Sequence, residues 1–228
     1  MSTVAAFFDL DGTLTTGHLY SNIVRERMRH PVGAVRALAY LLSHFAMVVP
    51  YRLGLLDTTR FFTSWMVDLA PLFKGMRPLQ AEPEFRAVAR SLVDDAREDV
   101  LELLRKHRSE GHMVVLVSGT FSPILEEVAR LLDVEHVVGT SLEERDGRYT
   151  GRLAEPMCFA DEKARRVRSF VEGSVPGIDM RASYAYSDRH NDLPFLELVG
   201  YPVATYPDEG LLAHARARGW RIVGGTCA

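Results

Sequence analysis

The sequence predicts an α/β protein: a Rossmann-like, doubly wound parallel sheet with an inserted all-α cap. Two observations carry this. From about residue 96 onward, helical stripes alternate with short apolar runs, and alternating β and α units build a parallel sheet with helices on both faces. Between about Gly17 and Val93 no strand pattern occurs and apolar residues recur at helical spacing, which predicts a helical insert. Residues 1–15 and 93–228 are therefore assigned to the core and 16–92 to the cap.

Val4 to Phe8 is wholly apolar and reads as a buried strand that ends in Asp9-Leu10-Asp11-Gly12-Thr13. In the insert, Arg25 to Arg29 read as a basic helical face and Pro31 as a break. A second helix is expected over Val32 to Val49, interrupted at Pro50 and Gly54, and Thr58-Thr59 offer an N-cap for Arg60 to Leu69. Pro71, Gly75 and Pro78 mark a loop before a helix over Phe85 to Val93. In the second core segment, Val100, Leu101, Leu103 and Leu104 form a helix face ending at Gly111, and Met113 to Val117 is a strand. Ser122-Pro123 opens a helix with Ser122 as cap, and Ile124, Leu125, Val128, Leu131 and Leu132 make its stripe. His136 to Thr140 is a strand, and Asp146-Gly147 predicts a hairpin turn between Leu142-Glu143 and Tyr149-Thr150. A helix over Asp161 to Glu172, strands over Ser183 to Ser187 and Tyr201 to Thr205, and a short strand at Arg221 to Val223 complete the pattern.

Composition narrows the function classes. A net charge of −3 gives no footprint for nucleic acid. Cys158 and Cys227 have neither disulfide-framework nor zinc spacing, and Met1 leads directly into the first strand without a leader pattern. Both features predict a cytoplasmic setting. Leu38 to Pro50 is apolar nearly all round, yet short of the roughly 20 residues that span a bilayer. It reads as a buried or partly exposed cap helix, with lipid contact as the alternative.

Ligands of a doubly wound sheet bind beyond the C-terminal strand ends, so reactive residues should follow strands directly. Asp9 and Asp11 do so, two apart, with both carboxylates leaving one side of an extended chain. Crowded like charges call for a cation, and hard carboxylate oxygens favour Mg²⁺. The same string is also compatible with a turn after a buried strand. Ser118-Gly119-Thr120 follows another strand and offers a hydroxyl and backbone N–H groups to an anion. Asp188-Arg189-His190-Asn191-Asp192 follows a third, bringing a second acidic edge toward the first. Lys163 lies on the helix between them.

The ordered set Asp9-x-Asp11-Gly12-Thr13, Ser118-Gly119-Thr120, Lys163 and Asp188-x-x-Asn191-Asp192 resembles the four motifs of the haloacid dehalogenase superfamily. The helical insert and the run Tyr201 to Asp208 resemble its phosphoserine-phosphatase-like branch. The resemblance implies a Mg²⁺-dependent phosphatase for a small phosphomonoester. In it Asp9 is the nucleophile and Asp11 the general acid and base. Ser118, Gly119, Lys163 and Asn191 bind phosphate. Asp9, the Asp11 backbone carbonyl and Asp188 hold the metal, and Asp192 orients Lys163 or a metal-bound water. A phosphomutase uses the same residues, and a non-catalytic module could keep the fold, although the intact Asp9, Asp11, Lys163 and Asp188 set argues against decay.

The cap departs from that pattern. Where phosphoserine phosphatases carry a Glu that reads the substrate amine, this chain has His18. Their cap Arg has no counterpart in register, and Arg60 is off by about a turn. The cap is instead rich in Phe, Leu, Met and Trp. These departures predict a phosphomonoester less polar or bulkier than phosphoserine. His18 is equally compatible with a solvated linker, and Arg189 and His190 read as loop drift.

Overall fold

A computed structural model describes residues 3–53, 55, 58–173 and 177–225, with the side chains of 58–62 outside that set. Cys227 lies outside the described residues. The core sheet is six-stranded and parallel in the order β3-β2-β1-β6-β7-β8. Its strands are β1 (Ala5–Phe8), β2 (Met113–Phe121), β3 (His136–Thr140), β6 (Tyr184–Ser187), β7 (Tyr201–Thr205) and β8 (Arg221–Val223). β1 is central and fully buried, as its unbroken apolar run requires. Successive residues of β1 point to opposite faces. Ala6 and Phe8 join a core with Leu104, Ile124 and Leu125, whereas Ala5 and Phe7 join another with Val167, Phe195 and Leu211.

The helices on those faces are α5 (Glu98–Ser109), α6 (Ser122–Leu131), α7 (Asp161–Gly173), α8 (Leu193–Leu196) and α9 (Glu209–Arg218). β4 (Leu142–Arg145) and β5 (Arg148–Leu153) form the expected hairpin, and Asp146 and Gly147 both take positive φ, 52° and 69°.

The insert is helical among its described residues: α1 (Leu19–Arg27), α2 (Pro31–Arg52), α3 (Thr58–Val67), a 3₁₀ turn at Ala70–Phe73, and α4 (Pro78–Asp94). Several boundaries differ from expectation. Pro50 sits inside the last turn of α2. α3 takes Thr58 and Thr59 into its first turn and ends at Val67. α4 begins at Pro78 and carries Pro83 within it. Proline is at home at a helix start, and the Arg77 N–H bonds back to Gln80 Oε1 at 2.9 Å, which closes that end. β2 runs through Ser118 to Phe121 instead of ending at Val117, with a register shift against β3 between Val117 and Phe121. Phe121, not Ser122, is then the N-cap of α6.

Candidate active site

Register brings the site together. Phe8 of β1 lies opposite Tyr186 of β6 and Leu116 of β2. Asp9 and Asp188 therefore follow the ends of β1 and β6, and Ser118 sits beside them within β2, at the carboxyl edge where an open α/β sheet binds ligands. The Asp9 N–H extends the ladder to Tyr186 O at 3.0 Å. Gly12 then turns the chain at φ 86°, a left-handed value that glycine tolerates. A Cβ there would lie 2.3 Å from Asp188 Oδ2, so the absent side chain is what lets the two acidic segments meet.

Lys163, on the first turn of α7, is buried and joins two carboxylates: its Nζ donates to Asp9 Oδ1 at 2.9 Å and to Asp192 Oδ2 at 2.6 Å. Ser187 Oγ also donates to Asp192 Oδ2, at 2.6 Å. Thr13 Oγ1 lies 3.4 Å from Asp9 Oδ2 and 3.3 Å from Asp188 Oδ1, so one hydroxyl touches both carboxylates. Asp11 is held from two sides: the Leu19 N–H, at the start of cap helix α1, donates to Oδ1 at 3.1 Å, and Thr120 Oγ1 donates to Oδ2 at 3.1 Å. Ser118 Oγ donates in turn to Thr120 Oγ1 at 3.0 Å.

Burial is the largest influence on all three leading carboxylates and pushes each upward. For Asp9 it outweighs the lowering effect of Lys163. For Asp188 the negative charge of Asp9 adds to it. For Asp11 it exceeds the help of the Leu19 N–H and the Thr120 hydroxyl. Lys163 is pushed upward, because its two carboxylate partners outweigh burial. Cys158 also lines the site, but burial pushes its thiol up to about 11, which disqualifies it as a thiolate nucleophile near neutrality.

The donor set fits a hard divalent cation. Four carboxylates (Asp9, Asp11, Asp188 and Asp192) face one buried lysine, and Asp192 Oδ1 is buried without a hydrogen-bond partner. Excess negative charge and an orphaned acceptor are what a cation and its bound waters relieve.

These residues floor a cavity of about 560 Å³. Ser118, Gly119, Lys163, Asn191 and Asp192 line it beside Asp9 and Asp11. His18 lines it too, its ring 5.7 Å from that of Tyr20 and nearly parallel. Arg60 sits on α3, and its side chain lies outside the described set. Arg189, read from sequence as loop drift, is a wall residue of the cavity with a half-exposed side chain. The sequence reading also missed the apolar walls, Leu19, Tyr20, Trp65 and Met66 from the cap and Met157 and Phe159 from the core. The wall side chains of α1 and α3 follow ordinary helical spacing, which does not distinguish a cavity wall from cap core.

A family model described as haloacid dehalogenase-like hydrolase matches residues 6–197. A phosphoserine phosphatase of Mycobacterium tuberculosis is 32% identical over 96% of this chain and 70% of its own length. A histidinol-phosphatase of Neisseria meningitidis is 28% identical over 96% of this chain and 97% of its own. The crystal structure of a Bordetella pertussis protein of unknown function superposes with a TM-score of 0.81 at 28% identity, covering 98% of this chain and 99% of that one.

Proposed function

The chain belongs to the haloacid dehalogenase-like hydrolase family, in its phosphoserine-phosphatase-like branch, and we propose that it is a Mg²⁺-dependent phosphomonoesterase working through an aspartyl-phosphate on Asp9. The observation that carries the reading is the pairing of Lys163 with Asp9 at 2.9 Å, beside a second buried carboxylate, Asp188, that shares the Thr13 hydroxyl.

Asp9 Oδ2 is the oxygen not engaged by Lys163, which leaves it to attack phosphorus while Lys163 holds the carboxylate and draws the phosphoryl oxygens inward. Asp11 gives a proton to the leaving alkoxide and then takes one from the water that opens the aspartyl-phosphate. Its raised affinity for a proton suits the first step, and the Leu19 N–H and Thr120 hydroxyl fix its orientation for both. Ser118, the Gly119 N–H and Asn191 complete the phosphate cradle. Asp9, the Asp11 carbonyl and Asp188 would hold Mg²⁺, which neutralises phosphate charge when bound. Asp192 keeps Lys163 aimed at Asp9.

The substrate is a phosphomonoester whose alcohol part is less polar or bulkier than serine. The support is a roomy cavity with six apolar walls, where His18 and Thr63 from the cap and Arg189 from the core are polar groups able to read it. The name of the Neisseria relative points to an amino-alcohol phosphate as one member of that class.

Asp9→Asn is expected to lower p-nitrophenyl phosphate turnover by roughly 10⁴-fold or more while circular dichroism stays unchanged. Retained turnover in a folded variant would remove Asp9 as nucleophile. EDTA should stop the wild-type reaction and added Mg²⁺ restore it. In a phosphomonoester panel, phosphoserine clearly outrunning all others would overturn the substrate class and leave the chemistry standing.

A further inference from the structure

A surface helix normally turns its apolar stripe to the core and its polar face to water. α2 does the reverse. Val32, Val35, Leu38, Leu42, Phe45 and Val49 recur at intervals of three and four and are 51–72% exposed. Its inward positions are Gly33, Ala37, Tyr40 and His44. Leu53 and Leu55 continue the exposed series beyond the helix, at 69% and 73%. Over 22 residues α2 extends about 33 Å. An exposed apolar strip of that extent marks an interaction surface.

Two observations select the occupant. The stretch from Arg27 to Leu56 contains no Asp or Glu and four arginines, 27, 29, 36 and 52, in a chain whose net charge is −3. Helices that pair with each other usually flank their apolar seam with charges of both signs, and a second copy of α2 would oppose arginine with arginine. Arg27 is buried on Glu84 and Arg29 pairs with Glu26, so the match to an anionic lipid leaflet lies in an apolar face on a helix that carries no carboxylate of its own and ends in the exposed Arg52.

The helix is also long and apolar enough to cross a bilayer by length and composition. Its inner face, however, is committed to the cap. Tyr40 donates to Trp65 O at 2.5 Å, the His44 ring lies 4.9 Å from that of Trp65, and Arg36 donates to Lys74 O at 2.7 Å. Crossing would break these contacts, whereas lying flat keeps them.

We propose that α2 docks this protein on an anionic lipid surface, parallel to the membrane plane, with the Val32 to Val49 stripe among the acyl chains and Arg52 against lipid phosphates. Trp65 lines the cavity and packs on Tyr40 and His44, so the docked helix backs one wall of the site. The inference stands on the surface of α2 and does not rest on the phosphatase reading.

The test is flotation of the full chain with vesicles of phosphatidylcholine plus phosphatidylglycerol, against phosphatidylcholine alone. The protein is expected to float with the anionic vesicles, and the partition should fall about tenfold or more in Leu42→Asp/Phe45→Asp. That variant should keep turnover of p-nitrophenyl phosphate, since neither side chain lines the cavity and the one contact to its wall, the Phe45 ring 6.2 Å from that of Trp65, is edge-on. Arg52→Gln, a charge-only change, should weaken binding about fivefold. Asp9→Asn should float like the wild type, which separates docking from catalysis. The proposal is overturned if the wild type stays unbound with both vesicles, or if Leu42→Asp/Phe45→Asp floats equally well. A dimer in light scattering that this variant dissolves, without flotation of the wild type, assigns the face to a second copy and also overturns it.

Discussion

Asp188 is a carboxylate with few friends. Thr13 Oγ1 is 3.3 Å away, and the nearest cation, Arg189 Nε, stands at 3.7 Å on a half-exposed side chain. Burial and then Asp9 push its proton affinity up. A carboxyl whose folded value lies above its unfolded value stabilises the fold at low pH, and that contribution is lost as pH rises through the raised value. Metal-free protein should therefore weaken as pH rises from the unfolded carboxyl range of about 4 to the raised value of about 8, and the gain in Tm from Mg²⁺ should grow over the same range. Asp188→Asn removes the repulsion outright. We expect it to stabilise the chelated protein by ~1–2 kcal/mol near pH 8, to abolish the Mg²⁺-induced rise in Tm, and to abolish turnover. Differential scanning fluorimetry with EDTA and with Mg²⁺ reads all but the last. A variant less stable than wild type in EDTA would contradict the idea that the site is strained by its own charge.

At the scale of elements, the cap is fastened to itself by a buried ion pair. Arg27 Nη1 reaches Glu84 Oε1 and Oε2 at 2.7 and 2.8 Å, joining α1 to α4. The Arg27 guanidinium also lies 5.6 Å from the Phe73 ring. α1 is the helix whose first N–H holds Asp11, so this pair braces the acid–base residue at one remove. Removing one partner strands the other charge. Arg27→Ala should cost about 3–5 kcal/mol in urea unfolding, and Arg27→Met/Glu84→Leu should recover most of it. A single-variant loss under about 1 kcal/mol would show the pair to be solvated. This pair also shows where sequence reading stops. Arg27 sits in a basic run and reads as surface, because its partner is 57 positions away and local periodicity carries no such information. The strand-end residues were legible for the opposite reason: a parallel sheet gathers whatever follows its strands at one edge, so order alone places Asp9, Ser118 and Asp188 together. α9 was missed although it carries both end signals, Asp208 Oδ1 accepting from the Leu211 N–H at 2.8 Å and Gly219 at φ 67°. Its Ala, Arg and His residues offer no apolar stripe to announce it.

Across the whole molecule, the two ends of the sheet respond to acid in opposite ways. At the carboxyl edge, Asp9 and Asp188 hold protons more tightly when folded, so acidification stabilises that end of the metal-free protein. At the far edge, His107 in the last turn of α5 is buried between Phe8, His112, Tyr184 and Tyr186, with its Nε2 2.7 Å from Tyr186 Oη and its Nδ1 2.8 Å from His112 Nδ1. Burial first, then His112, lowers His107 to about 4; Lys106 and Arg221 act the same way, and Glu110 opposes them. A lowered histidine stabilises the fold above its unfolded value of about 6.5 and loses that contribution as pH falls toward 4. The full shift corresponds to roughly 3 kcal/mol, and solvent reaching this edge through His112 reduces it to on the order of 2 kcal/mol. The acid limb of the stability curve should thus belong to the end of the sheet remote from the site. His107→Gln keeps a donor for Tyr186 and cannot titrate, so its loss of stability between pH 6.5 and 4.5 should be smaller than that of wild type by that amount, measured by urea unfolding in EDTA. Parallel acid limbs in the two proteins would move the cause to other groups. A variant that instead gains stability on acidification would expose the opposing contribution of Asp9 and Asp188, which the histidine masks in the native chain.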